Sequence, residues 1–232
     1  MTTSDTHPIS LVVFDMAGTT VEDRGLVQQS FAAADEHAGL SRDEQDRARM
    51  LTYVTDTMGQ SKIDVFRRLS GGNEEQAQSA NKAFEDRYGQ LVRDGHCSAI
   101  PGAADLLHDL RSDGIKTALT TGFAHETQYA ILDALGWRDI ADVVLCPGDG
   151  MRGRPFPDMP LTALLRTSAP SVQAMLVVGD TTSDITSGLR SGARVVVGVL
   201  TGAHDADQLR AAGATHILES VADLPSLIDA VN

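Results

Sequence analysis

The first residues able to do chemistry lie at the end of a strand-like run near the N-terminus. Residues 9–14 are mostly apolar, and Asp15 follows them directly. A carboxylate held at the end of a buried strand can act as a nucleophile. Two residues later stands Ala17, whose methyl group cannot transfer a proton. The reaction must therefore arrange its proton transfers in another way or not need them.

Two further acids, Asp180 and Asp184, come at and just beyond the end of another apolar run, residues 174–179. If they meet Asp15 at one edge of a sheet, the three carboxylates repel one another strongly. A hard divalent cation offsets that charge, and Mg²⁺ favours oxygen ligands. The expected direct Mg²⁺ ligands are Asp15, the backbone carbonyl of Ala17 and Asp180, with Asp184 binding either directly or through water. The alternative is that Asp180 and Asp184 only stabilise a strand end and a helix start.

Two other motifs offer groups that bind phosphoryl oxygens. Thr120, Thr121 and Gly122 stand at the end of a third apolar run, and a threonine hydroxyl there can donate to a phosphoryl oxygen. Arg154 lies between Gly153 and Pro155 in a rigid turn. Its guanidinium can therefore neutralise the charge of both the nucleophile and the phosphoryl group.

Lys62 is a candidate for covalent chemistry on the carbon side of a substrate. Ser61 is a potential N-cap, which makes Lys62 the first residue of a helix. The positive end of the helix dipole disfavours the ammonium form, lowers the pKa of Lys62 and releases a neutral amine that can form a Schiff base. An iminium group accepts the electrons of a breaking carbon–phosphorus bond, so the leaving group needs no acid beside Asp15. The alternative is a solvated lysine at a helix end.

The elements that must position these residues alternate between strand-like runs and helical patterns. Continuous apolar strands separated by helices predict a parallel sheet covered on both faces, an α/β fold that binds ligands at the carboxyl ends of its strands. The predicted strands are residues 9–14, 115–120, 143–146, 174–179, 194–199 and 215–218. The predicted helices between them are residues 103–112, 125–135, 158–166, 184–191 and 205–211.

The connection between the first two strands is far longer than the roughly 30 residues of an ordinary strand–helix–strand unit. It has helical patterns throughout, with helices predicted to begin at a capping box over residues 41–44, at Ser61 and near Glu74. We expect a helical cap domain at residues 21–96, inserted into a core domain formed by residues 1–20 and 97–232. The alternative is one domain with a larger helical layer.

Composition limits the partners and the location. The 232 residues carry a formal net charge of -13 at pH 7, which argues against a nucleic-acid partner because phosphate backbones are bound by basic patches. No run approaches the roughly 20 apolar residues that cross a bilayer, and we expect no secretion signal in residues 1–5. Cys97 and Cys146 are too few for a disulfide framework. We therefore expect a cytoplasmic protein that acts on a small molecule and contacts no membrane.

Taken together, the motifs resemble those of the phosphonatase-like hydrolases of the haloacid dehalogenase (HAD) superfamily. The shared motifs are Asp-x-Ala-Gly-Thr-Thr at residues 15–20, Met-Gly-x-x-Lys-Ile-Asp at 58–64, Thr-Thr-Gly at 120–122, Gly-Arg-Pro-x-Pro at 153–157 and Gly-Asp-Thr-x-Ser-Asp at 179–184. The resemblance implies a HAD-like Rossmannoid parallel-sheet core with an inserted helical cap of the C1 type. It also implies Mg²⁺ as cofactor and a homodimer formed through cap helices.

The resemblance further implies roles for individual residues. The expected catalytic residues are Asp15 as nucleophile, Lys62 as Schiff-base lysine, and Thr121 and Arg154 as phosphoryl binders, with Asp180 and Asp184 as metal-site acids. Substrate contacts are expected from Ala17, Gly18, Thr19, Met58, Thr120 and Gly122. Ordinary phosphatases of the superfamily carry an Asp where this chain has Ala17. Two other positions depart from the phosphonatase pattern, with Val65 in place of a His and Phe123 in place of a Tyr.

These features predict a Mg²⁺-dependent hydrolase of a small phosphonate. It would cleave the P–C bond of phosphonoacetaldehyde or a related carbonyl phosphonate through an aspartyl phosphate at Asp15 and a Schiff base at Lys62. The first alternative is a phosphate monoester phosphatase of the phosphoglycolate or sugar-phosphate type on the same scaffold. The second is a phospho-ligand-binding protein without catalytic activity.

Overall fold

A six-stranded parallel sheet forms the centre of the computed structural model, which describes residues 7–148 and 150–232. The strands are β1 Leu11–Asp15, β2 Lys116–Thr120, β3 Val143–Leu145, β4 Met175–Gly179, β5 Val195–Val199 and β6 His216–Leu218. Their order across the sheet is β3-β2-β1-β4-β5-β6, and every neighbouring pair is parallel. The predicted α/β fold with a parallel sheet is confirmed. Residues 1–5, in which we expect no secretion signal, lie outside the described residues.

The strand order shows where on the sheet a ligand is expected to bind. The chain passes from β1 to β2 and β3 on one side, then crosses to β4 on the other side of β1. The crevice between the carboxyl ends of β1 and β4 is therefore the switch point at which ligands bind in such sheets. All residues of β1 and β4 are buried, as their continuous apolar sequences require.

Ten α-helices accompany the sheet in the described part of the chain. In chain order they are α1 Leu26–Ala38, α2 Glu44–Asp56, α3 Lys62–Leu69, α4 Glu74–Leu91, α5 Ala103–Ser112, α6 His125–Leu135, α7 Asp158–Thr167, α8 Thr182–Arg190, α9 Ala206–Ala211 and α10 Leu224–Val231. One π-helical turn, Val92–His96, extends α4. None of the described helices is both long enough and apolar enough to cross a lipid bilayer.

Helix α10 was missed by the sequence prediction, although the sequence contains a signal for it. Pro225 stands in the first turn, where its missing N–H costs no hydrogen bond. The buried residues Leu224 and Ile228 are four positions apart and face the core together. The spacing of these two apolar residues therefore predicts a short helix at Leu224–Val231.

The first four of the five α-helices between β1 and β2, α1 to α4, form a continuous group that we call the helical insertion, residues 26–91. Their aromatic side chains stack in a chain of contacts, with ring centroids of Phe31 and Phe66 6.2 Å apart and those of Phe66 and Phe84 5.8 Å apart. The chain continues through Tyr88 to Phe123, which lies beyond β2, with a centroid distance of 4.4 Å. The insertion therefore shares its apolar centre with the loop that follows β2. The domain boundaries at residues 20 and 96 stay a prediction.

One predicted helix start was wrong. The capping box expected over residues 41–44 does not form, because α2 begins at Glu44 with Asp43 as its N-cap. The Asp43 side chain accepts a hydrogen bond from Asp46 N at 2.7 Å. Ser41 instead donates through its backbone and its hydroxyl to Asp35, at 2.7 and 2.8 Å. The buried Asp35 carboxylate in α1 therefore accepts hydrogen bonds from Ser41, the residue that we expected to cap α2.

Candidate active site

Three buried carboxylates converge at the carboxyl ends of β1 and β4. Asp15 is the last residue of β1, Asp180 follows β4 directly, and Asp184 lies in the first turn of α8. One oxygen from each lies within 4.8 Å of the other two. Burial raises the pKa of Asp15 to about 7 and that of Asp180 well above its usual range, and repulsion from Asp184 adds to both shifts. The cluster therefore carries more negative charge than its surroundings stabilise.

Arg154 is the cation of this cluster. Its side chain is 3% exposed, and Nη1 donates to both Asp15 and Asp184. Burial opposes its charge, but the two carboxylates outweigh that cost and raise the pKa of Arg154 above its usual value. Among the described atoms, its Nε and Nη2 are buried without a hydrogen-bond partner. Because unpaired buried donors are costly, they indicate an acceptor that binds here, and phosphoryl oxygens suit a guanidinium.

Asp180 is held from two sides by loops that approach closely. Thr19 Oγ1 donates to one of its oxygens at 3.1 Å, and Ala203 N donates to the other at 2.7 Å. Gly18 has a φ of 92°, and a Cβ there would lie 2.4 Å from Asp180 Oδ2. Gly18 and Thr19, predicted to contact substrate, thus also fix the position of Asp180. The half-buried Ala17 precedes them.

Asp184 serves both as a helix cap and as a member of the cluster. Its Oδ2 accepts from Thr181 N at 3.1 Å and from Thr181 Oγ1 at 2.5 Å, which closes a capping box at the start of α8. Its Oδ1 accepts from Arg154. The helix-capping alternative is therefore correct for one oxygen, while the other faces the site.

The two threonines after β2 differ in what their hydroxyls can do. Thr120 Oγ1 donates to the carbonyl of Phe14 at 3.0 Å, so that proton supports the sheet. Thr121 Oγ1 accepts from Phe123 N at 3.2 Å, a bond that does not use its own proton. Thr121 is therefore the threonine able to donate to a phosphoryl group.

Lys62 lies at the start of α3 with its side chain buried, 8% exposed. The solvated lysine considered as an alternative is not what the structure contains. Ser61 occupies the predicted N-cap position, although its side chain makes no capping hydrogen bond. Burial lowers the pKa of Lys62 and outweighs the opposing attraction of Glu85 and Asp23. The predicted direction of the shift is confirmed, but burial rather than the helix dipole is its main cause.

A cavity of about 390 Å³ lies between the helical insertion and the core, with Lys62 in its wall. Gly122 and Gly153 also line it, next to Thr121 and Arg154 respectively, so the cavity adjoins the phosphoryl-binding groups. The insertion is anchored here by a hydrogen bond from Lys62 N to the Gly122 carbonyl, 3.1 Å long. Met58, another predicted substrate contact, is buried in the segment that leads to Lys62.

The sequence profile of the haloacid dehalogenase-like hydrolases matches residues 9–192. The chain belongs to this family. A phosphonoacetaldehyde hydrolase of Bacteroides fragilis is 27% identical to this HAD hydrolase over 97% of both chains. A phosphonoacetaldehyde hydrolase-like protein of Oleispira antarctica shares its fold with a TM-score of 0.83, at 24% identity over 100% of this chain and 96% of that one. A predicted phosphoglycolate phosphatase of Haemophilus somnus has the same fold with a TM-score of 0.75, at 20% identity over 94% and 97% of the two chains.

The donor set of this HAD hydrolase fits a divalent cation. Three carboxylates face one guanidinium, which leaves an excess of buried negative charge. Burial is the main cause of the raised pKa values of Asp15 and Asp180, and repulsion among the carboxylates adds to both shifts. All three side chains offer the oxygen ligands that hard cations prefer. The site therefore suits a metal ion as well as a phosphoryl group.

Two residues of the cavity were missed by the sequence prediction. Asn81 and Glu85 come from α4, four positions apart, and therefore project from one side of the helix. Among the described atoms, Asn81 Oδ1 and Glu85 Oε2 are buried without a hydrogen-bond partner. In the sequence, these two residues are marked only as polar residues next to apolar positions of α4. That pattern is common on helix surfaces, so it does not indicate a cavity.

Proposed function

We propose that this HAD hydrolase is Mg²⁺-dependent and cleaves the P–C bond of phosphonoacetaldehyde or a related small carbonyl phosphonate. The observation that carries the proposal is the buried Lys62 amine in the wall of the cavity beside Arg154. Ala17 agrees with it, because a carbon leaving group stabilised by an imine needs no acid at that position. The similarity to phosphonoacetaldehyde hydrolase over nearly the whole chain also supports it.

On the phosphorus side, the chain supplies a nucleophile and donors. Arg154 Nε and Nη2 and the Thr121 hydroxyl bind the phosphoryl oxygens and orient phosphorus toward the Asp15 carboxylate. Asp15 attacks phosphorus, which gives an aspartyl phosphate that water then hydrolyses. Mg²⁺ held by Asp15, the Ala17 carbonyl, Asp180 and Asp184 would offset the charge that gathers when the phosphoryl group meets these carboxylates.

On the carbon side, Lys62 supplies the electron sink. Its neutral amine condenses with the substrate carbonyl to form an iminium and one water. When the P–C bond breaks, its electron pair moves into the iminium and gives an enamine. Protonation of the enamine at carbon and hydrolysis of the resulting imine release the aldehyde and restore the amine. Lys62 thus has no part in hydrolysis of a simple phosphate ester.

A phosphate monoester phosphatase is the second candidate. The fold likeness to the predicted phosphoglycolate phosphatase shows that the same architecture occurs in a protein of that description. Asp15, Thr121 and Arg154 would serve that reaction equally well. The alcohol leaving group would then need a proton, which the methyl group of Ala17 cannot supply.

The two candidates are separated by one pair of variants and two substrates. Lys62→Met is compared with Lys82→Met, which changes a lysine on the insertion whose side chain is 76% exposed. Phosphate release is measured from phosphonoacetaldehyde and from phosphoglycolate. P–C cleavage that is lost only in Lys62→Met, with borohydride trapping at Lys62 in the unmodified protein, is the expected result. Release of phosphate from phosphoglycolate alone, equal in both variants, would favour the phosphatase.

Two other predictions belong to the same proposal. We propose that the protein is cytoplasmic and forms a homodimer. Cell fractionation tests the location, and light scattering of the purified protein tests the assembly. Neither property enters the chemistry described above.

A further inference from the structure

Imine formation at Lys62 requires proton transfers that the residues described so far do not provide. The amine must lose protons, and the carbonyl oxygen must gain two before it leaves as water. Val65 lies one helical turn after Lys62 and Phe123 lies under its amine, and both are buried apolar side chains. The proton donor and acceptor must therefore come from another part of the cavity wall.

Glu85 is a carboxylate in that wall. It lines the same cavity as Lys62, and it exerts the largest favourable charge interaction on the Lys62 ammonium, ahead of Asp23 and Asp15. Its Oε1 accepts a hydrogen bond from Ala124 N at 3.1 Å. Its Oε2 is buried and has no hydrogen-bond partner among the described atoms; the Thr127 hydroxyl is near enough to lower the pKa of Glu85 but does not reach hydrogen-bonding geometry. One oxygen is thus fixed, and the other is available for chemistry.

Three consecutive residues of the core orient both groups. The carbonyl of Gly122 accepts from the backbone of Lys62, and the N–H of Ala124 donates to Glu85, each at 3.1 Å. Phe123, between them, presents its ring to the Lys62 amine. The backbone of Lys62 and the carboxyl group of Glu85 are therefore both tied to the same three-residue segment, although they belong to different helices.

We propose that Glu85 is the general acid–base that makes and breaks the imine at Lys62. This inference rests on the proposed function. In the forward direction the nitrogen lone pair attacks the carbonyl carbon, the C–N bond forms, and the carbonyl π electrons move to oxygen, which takes a proton from the carboxyl group. The resulting carboxylate accepts a proton from nitrogen and returns it to the hydroxyl group, which leaves as water as the C=N bond forms. After P–C cleavage the same steps in reverse release the aldehyde.

A purely electrostatic role for Glu85 predicts the opposite result. The negative charge of Glu85 raises the pKa of Lys62. Removal of that charge would increase the fraction of neutral amine and would speed imine formation at neutral pH. Loss of a proton-transfer group would slow it. The sign of the rate change therefore distinguishes the two roles.

The test compares Glu85→Gln with Asp86→Asn. Glutamine keeps an oxygen that can accept from Ala124 N, and Asp86 is the next residue of α4 with a side chain 65% exposed. The rate at which borohydride traps an adduct at Lys62 with phosphonoacetaldehyde, or with acetaldehyde, is followed by mass spectrometry at pH 7. We expect trapping about 100-fold slower in Glu85→Gln and unchanged in Asp86→Asn. Formate should restore part of the rate in Glu85→Ala, in which the space of the carboxyl group is empty.

The outcomes separate this inference from the function on which it rests. Trapping in Glu85→Gln at the unmodified rate or faster, with a normal circular dichroism spectrum, would overturn the role of Glu85 alone. No adduct at Lys62 in the unmodified protein with either aldehyde would overturn the imine mechanism and the role of Glu85 together. If Glu85→Gln does not fold, formate rescue of Glu85→Ala and retained trapping in Glu85→Asp decide the question.

Discussion

The Nζ atom of Lys62 lies 5.2 Å from the centroid of the Phe123 ring. An aromatic face attracts an ammonium by roughly 0.5–2 kcal/mol, which alone would raise the pKa of the amine. The same ring excludes water, and loss of hydration opposes the charged form. Because the pKa of Lys62 is lowered overall, desolvation outweighs the attraction. Phe123 is therefore part of the buried surroundings that together favour the neutral amine that imine chemistry needs.

The pH dependence of trapping follows from this shift. An amine reacts in its neutral form, which predominates above its pKa. In Glu85→Gln, where no carboxyl group at position 85 titrates, trapping at Lys62 should therefore increase with pH and level off once that pKa is passed. A solvated lysine has a pKa of about 10.4. Because the pKa of Lys62 lies below its usual value, its plateau should come at lower pH than that of a solvated lysine. Mass spectrometry of borohydride-reduced adducts, resolved by site from pH 5 to 11, measures this. A rise at Lys62 that coincides with that of exposed lysines would contradict the prediction.

The unpaired donors of Arg154 predict a strong effect of a conservative substitution. Lysine in its place offers a point charge without the planar set of donors that bridges Asp15, Asp184 and a phosphoryl group. Arg154→Lys should lower kcat by about 10²–10³, the usual cost of losing a donor aimed at the reacting group. It should also weaken the binding of inorganic phosphate.

The matched control is Arg210→Lys on α9, whose side chain is 61% exposed and pairs only with Asp207 in the described structure. Steady-state phosphate release and calorimetric titration with inorganic phosphate give the two readouts. Equal kinetics for Arg154→Lys and Arg210→Lys would remove Arg154 from the phosphoryl site.

The sheet and the acids at its edge were predictable because each follows from a local pattern. Asp15 and Asp180 each come at the end of a continuous apolar run, and parallel strands bring their carboxyl ends together whatever the details of the helices. Arg154 was predictable because Pro155 and Pro157, which both follow it, restrict the backbone of its turn. These features depend on a few neighbouring residues, and so the sequence specifies them directly.

The environment of Lys62 could not be predicted in the same way. Its burial depends on the packing of α3 and α4 against the loop after β2, and this brings Glu85 to the cavity from a separate helix. Along α4, Glu85 stands among several other acids and amides, and periodicity does not show which of them faces the core. The predicted start of α2 was wrong for a related reason. Ser41 binds Asp35 in the preceding helix instead of capping α2, and the local sequence does not show that contact.

The buried acids predict that a divalent cation changes stability as well as activity. A cation that binds only the folded state stabilises it in proportion to its concentration and affinity. Mg²⁺ should therefore raise the melting temperature of the unmodified protein, and EDTA should abolish activity until Mg²⁺ is restored. In Asp180→Asn, one buried negative charge is gone, so the metal-free protein should melt higher and respond less to Mg²⁺.

Calorimetry with and without Mg²⁺ measures both effects, and Asp207→Asn, an exposed acid on α9, serves as the control. Activity that survives EDTA would exclude a metal requirement. A melting temperature of Asp180→Asn that responds to Mg²⁺ as fully as the unmodified protein would exclude Asp180 as a ligand.

The contact between the helical insertion and Gly122 predicts the effect of adding one methyl group. A Cβ at Gly122 would lie 2.3 Å from the carbonyl oxygen of Gln60, so Gly122→Ala must push apart the segment before α3 and the loop after β2. Overpacking of this kind costs about 1–3 kcal/mol, and each kcal/mol lowers the melting temperature of a chain of this size by about 2–4 °C. The displacement would also stretch the hydrogen bond from Lys62 N to Gly122, so imine trapping should fall more than inorganic phosphate binding.

The control is Gly89→Ala in α4, where the new Cβ meets only the flexible end of Arg93 and alanine favours the helix. Equal melting temperatures and trapping rates for the two variants would show that the insertion does not depend on this contact to place Lys62.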